Sequence, residues 1–175
     1  MFTLLAASHR VFDDGTAYLT QLTPEEYTAS IDCLSGSTIG QHTRHWIEFF
    51  QCLFWQLRDG NELICYDSRK RDLLLETNPE FALKAIFSLT DLMGSINADK
   101  ALSLQTKIGH ETITCPTSSG REWWYAIEHA IHHLAIVKIG LIQYHPQVEL
   151  PAGFGLAYST AEHCTAGGGN DLMGS

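Results

Sequence analysis

The sequence predicts an all-α protein, an up-down four-helix bundle with one small β-hairpin before the last long helix. Three observations predict it. Helix starts with side-chain caps recur along the chain, four segments are long enough to span a bundle, and only one stretch changes to strand-like alternation. The 175 residues fit one domain with a real core. The bundle is expected over residues 1–160, followed by an irregular glycine-rich tail over 161–175.

A first helix is expected from Phe2 towards Leu22, weakened by Asp13-Asp14-Gly15. Thr23-Pro24-Glu25-Glu26 combines an N-cap, a first-turn proline and acidic first-turn residues, and should open a short helical turn. Ser35-Gly36-Ser37 reads as a loop. Thr38-Ile39-Gly40-Gln41 has capping-box form and opens a helix that Asp59-Gly60 should stop after Arg58. Asn78-Pro79 starts another helix, expected through Met93. Alternation at Leu102, Leu104, Thr106 and Ile108, a turn at Gly109-His110-Glu111, and Thr112-Ile113-Thr114 predict a hairpin. Ser118 or Ser119 then caps a long helix from about Arg121 to Tyr144, ended by Pro146.

Composition excludes several functions. The formal charge of −9 leaves little to replace phosphate counterions, so a nucleic-acid partner is not expected. No stretch approaches the roughly 20 apolar residues that cross a bilayer, and the apolar start lacks a basic region, so neither a membrane role nor a signal peptide is expected. Five scattered cysteines with no Cys-x-x-Cys pair suit reduced thiols in a cytoplasm.

The nine histidines nearly match the eleven Lys and Arg residues. His129 and His133 stand four apart in the last helix, on one face, with Cβ atoms about 5–6 Å apart. Two imidazoles so placed can grip one metal ion, and an open catalytic site usually takes three protein ligands. The second cluster, Gln41-His42-Thr43-Arg44-His45, opens a different helix. His45 shares a face with Cys52 and Gln56, whereas His42 shares one with Trp46, Phe49 and Leu53. One histidine from this helix plus the pair would complete a three-histidine site; a lone histidine on a helix is more often surface or core. Di-iron chemistry needs Glu-x-x-His motifs, which the sequence lacks.

The ordered set Ser37–His45, Tyr66–Asp72, Arg121-Glu122, His129-x-x-His132-His133 and Phe154–Thr160 resembles the DinB/YfiT-like family of metal-dependent four-helix bundles. The resemblance implies a metal held by His45, His129 and His133, with His42 the alternative to His45. It also implies zinc or nickel, a homodimer, and hydrolase-like or thiol S-transferase chemistry; iron or manganese would also suit imidazole ligands. The expected activity is metal-dependent hydrolysis of a small molecule, with transfer to a low-molecular-weight thiol or a non-catalytic metal-binding bundle as alternatives.

Glu122 is the candidate general base, on the same face as His129 but about two turns away. Arg69 and Arg71 are candidates for clamping an anionic substrate group. The competing reading of the Asp67–Asp72 group is a set of ion pairs tying a loop to the helices.

Overall fold

The computed structural model describes residues 2–160, so the expected 161–175 tail, with His163 and Cys164, lies outside the described residues. Four long helices form the body: α1 (Phe2–Leu19), α3 (Ile39–Arg58), α5 (Pro79–Met93) and α6 (Ser119–Tyr144). Two shorter ones, α2 (Pro24–Thr28) and α4 (Leu74–Thr77), lie in the connections. Helix α3 packs on α5 and α6, and α1 packs on the same two. Buried aromatic and aliphatic side chains fill the space between them, Trp46, Phe50, Phe54 and Trp123 among the largest.

The all-α expectation is overturned. Strands β1 (Leu63–Ile64), β2 (Ala101–Ile108) and β3 (Glu111–Ser118) form a three-stranded mixed sheet, with β1 parallel and β3 antiparallel to β2. The hairpin was anticipated; the third strand and the parallel pairing were not. A two-residue strand is too short to show alternation. It forms because the chain leaving α3 is captured by β2: Ser103 N–H donates to Glu62 O at 2.8 Å, and Lys100 Nζ donates to the Gly60 and Asn61 carbonyls. Pro116 is accommodated in β3 because that strand is an edge, where a missing N–H costs no ladder bond.

The caps act as expected. Thr23 with Glu26, and Thr38 with Gln41, form reciprocal capping boxes; Asn78 accepts from Phe81 N–H and Ser118 from Arg121 N–H. Helix α1 stops at Leu19, short of Leu22, yet runs unbroken through Asp13-Asp14-Gly15. Tertiary contacts outweigh the local weakness there. A Cβ on Gly15 would stand 2.9 Å from the Trp46 ring, so the glycine lets two helices approach closely. Asp14 accepts from Gly155 N–H at 3.2 Å, tying α1 to the segment after α6.

The start of α3 carries His42 and His45, and Gly40 sets its position. A Cβ there would overlap the Glu76 backbone carbonyl of α4 and press the Tyr27 ring at 3.0 Å. Gly40→Ala is expected to destabilise the fold by about 1–3 kcal/mol through forced backbone displacement. Urea denaturation measures it, and an unchanged midpoint would contradict this packing.

Candidate metal centre

Helices α3 and α6 bring His45, His129 and His133 together, with one ligand-capable atom from each lying within 4.8 Å of the others. The imidazole centroids are 5.0 Å apart for His45–His129, 4.6 Å for His45–His133 and 4.7 Å for His129–His133. Three nitrogens at about 2.0–2.1 Å from a tetrahedral zinc stand roughly 3.3 Å apart. Closing to that spacing therefore needs side-chain shifts of no more than about 1.5 Å.

His129 Nε2 is buried and has no hydrogen-bond partner. A buried polar atom left unpaired is costly, and an ion would satisfy it. His42 sits beside this trio: its Nδ1 is 3.1 Å from His133 Nδ1. His132 is exposed and its ring meets His133 edge-on.

The imidazoles are held neutral. Burial pushes His45 down to about 4, with the Arg69 charge the next cause. Burial also pushes His129 to about 4 and His133 to about 3, helped by neighbouring histidines. His42 is lowered too, by burial and then His132. Neutral nitrogens are the form in which histidine ligates metal.

Aromatic rings enclose one side. Phe49 stacks on His129 with centroids 4.0 Å apart, and Tyr66 stacks on the other face of Phe49 at 4.7 Å. Tyr125 lies 5.8 Å from both His129 and Tyr66.

Of the two arginine candidates, only Arg69 reaches the cluster. Its Nη2 donates to His45 Nδ1 at 3.1 Å, while Nη1 donates to the Tyr66 carbonyl at 2.9 Å. Arg71 is exposed and, among the described residues, forms no ion pair. Asp67 accepts from Thr106 Oγ1 and Lys107 N–H, which fastens its turn to β2. Of this group only Arg69 forms an ion pair among the described residues, to Glu48, while Asp67 and the Asp72 amide tie the segment down by hydrogen bonds.

Glu122 lies outside the histidine cluster. It is fully buried, accepting from Thr117 Oγ1 at 2.6 Å, Tyr66 Oη at 3.1 Å and Arg121 Nη1 at 3.3 Å. That bonding anchors the first turn of α6 to β3 and to the Tyr66 turn.

Sequence reasoning missed Glu48, one helical turn after His45. Its side chain is 1% exposed, and its carboxylate accepts from Arg69 Nε at 3.3 Å and Asp72 N–H at 2.9 Å. Arg44 Nε stands 3.7 Å away. The available signal was a single acid inside the apolar run Trp46-Ile47-Glu48-Phe49-Phe50. Cys52, a turn further along, is no ready thiolate: burial raises it to about 11.

Comparison with protein-family models, curated proteins and solved structures finds no match.

The lowered histidines have a consequence for the metal-free protein. Their folded values lie below the unfolded value of about 6.5, so the unfolded chain takes up protons first as pH falls. Stability present above pH 6.5 should be lost progressively towards pH 4. Chelator-treated protein is expected to lose melting temperature more steeply over that window than His133→Gln. Parallel curves would contradict this.

Proposed function

We propose that this protein is a divalent-metal-dependent enzyme in which His45, His129 and His133 hold the ion, and that its reaction is hydrolase-like. The observation that carries the reading is the convergence of three neutral imidazoles from two helices, one with a buried and unpartnered nitrogen. The ordered motifs that resemble the DinB/YfiT-like family point the same way. Zinc or nickel suits this all-imidazole set best, and iron or manganese would be weaker competitors.

A divalent ion held there would supply Lewis acidity, polarising a substrate carbonyl or lowering the pKa of a water or thiol. The chain's own residues divide the remaining work. If His133 offers Nε2 as the ligand atom, its proton stays on Nδ1 and is donated to His42 Nδ1, 3.1 Å away. His42 is then a positioning residue that fixes the ring and its tautomer.

Arg69 sets a condition on His45. The guanidinium can only donate, so His45 Nδ1 is the acceptor of that bond. If Nδ1 is the ligand atom, Arg69 occupies its lone pair. If Nε2 is the ligand atom, Nδ1 carries the proton and two donors face each other. In both cases Arg69 Nη2 must turn from His45, while Nε and Nη1 keep Glu48 and the Tyr66 carbonyl, which leaves Nη2 beside the site to meet an anionic substrate group. Phe49, Tyr66 and Tyr125 keep water from the His129 side.

Free thiols at Cys33, Cys52, Cys65 and Cys115 support a reducing, cytoplasmic setting for this chemistry. Among the described residues, no helix is long and apolar enough to cross a membrane.

Zinc and nickel titrations test the reading. One equivalent is expected to bind, and His42→Ala should weaken binding about 10–100-fold, as loss of an outer partner does. His45→Ala, His129→Ala and His133→Ala should each cost more than that. Full metal occupancy in the His129→Ala/His133→Ala double variant would sink the proposal. With metal loaded, turnover of small esters marks the hydrolase; turnover only with an added thiol marks the transferase.

A further inference from the structure

A cavity of about 300 Å³ opens beside the aromatic wall, bounded by Phe49, Tyr66 and Tyr125, by Leu104 and Gln105 of β2, and by Arg121 at its rim. It lies at the lower end of the size range of small-molecule pockets, roomy enough for one substituted ring. Two of its walls, Phe49 and Tyr125, also contact His129, at centroid distances of 4.0 and 5.8 Å. The cavity is thus separated from the histidine cluster by a single layer of rings.

Its chemistry is specific. Three aromatic rings and Leu104 make the walls flat and apolar, which favours an aromatic guest by offset or edge-to-face packing. At the rim, the Arg121 guanidinium lies 5.1 Å over the Tyr125 ring, and its side chain is 60% exposed. It gives one bond to Glu122, at 3.3 Å, out of the five donors a guanidinium carries. Asp67 also lines the cavity, its Oδ2 accepting from Thr106 Oγ1 and Lys107 N–H. Arg121 therefore keeps donors beyond the one given to Glu122, and a guanidinium edge pairs with carboxylates in bidentate fashion.

We propose that this cavity binds an aryl carboxylate, its ring packed against the aromatic wall and its carboxylate on Arg121. This capacity to bind an aryl carboxylate does not rest on the metal-site reading above, because protein side chains alone build the walls.

Calorimetric and NMR titration with phenylacetate, on both chelator-treated and zinc-loaded protein, tests the pocket. Binding at about millimolar Kd is expected in both forms, as suits a ligand of this size. Cyclohexylacetate and benzyl alcohol should each bind several-fold more weakly, since one lacks the aromatic π face and the other the charge. Arg121→Gln should weaken phenylacetate about 10-fold and Arg121→Lys less, while Tyr125→Leu tests the ring contact in a variant that keeps wall volume. Circular dichroism confirms that each variant is folded. No saturable binding, or equal affinity in folded Arg121→Gln and Tyr125→Leu, overturns the pocket. Phenylacetate binding in a protein that takes up no zinc supports the pocket and overturns the metal reading. Zinc uptake without phenylacetate binding does the reverse.

Discussion

The buried carboxylate of Glu48 is the constraint on which the site depends. An unpaired charge in the core costs several kcal/mol, so the fold must deliver partners to it. Arg44 comes from the same helix, one turn back, but the hydrogen bonds come from the segment after β1: Arg69 Nε and the Asp72 amide. Pinning those two groups lays residues 66–72 across α3. The same guanidinium that neutralises Glu48 then reaches His45, and the turn preceding it delivers Tyr66 onto Phe49.

Glu122 acts as the matching pin from α6. Its carboxylate gathers Tyr66, Thr117 and Arg121, so the first turn of α6, the sheet and the Tyr66 turn share one anchor. Between the two acids runs a stack of rings from Tyr66 through Phe49 to His129. Neither acid is among the histidine trio, yet together they decide which rings surround it. The sheet, which makes the fold mixed and not all-α, belongs to this arrangement: β2 holds Asp67 and walls the cavity beside the histidines.

Local chemistry was legible in the sequence, and long-range chemistry was not. The Thr38 and Asn78 caps set α3 and α5 at the residues expected, and the His129/His133 pair follows from four-residue spacing on one helix. Choosing between His42 and His45 required the partner helix. Three residues apart, the two histidines lie about 60° apart around α3, and either could face α6 by spacing alone. The structure gives His45 to the trio and His42 to the His133 Nδ1 contact. Strand β1 was invisible because two residues carry no pattern. Arg69 on Glu48 and Tyr66 on Glu122 join residues 21 and 56 apart in sequence, where no local periodicity reports. Gly15, a weak point by helix propensity, proved to be a packing device against Trp46.

In the proposed site, three imidazoles from α3 and α6 ligate one divalent ion. X-ray absorption at the metal edge of zinc- or nickel-loaded protein tests it most directly, because imidazole rings give a distinctive outer-shell scattering pattern and sulfur gives a longer, stronger first shell. A first shell of nitrogen and oxygen at about 2.0–2.1 Å with three imidazoles and no sulfur is expected. A sulfur shell at about 2.3 Å, or a shell of oxygen without imidazole, would contradict it.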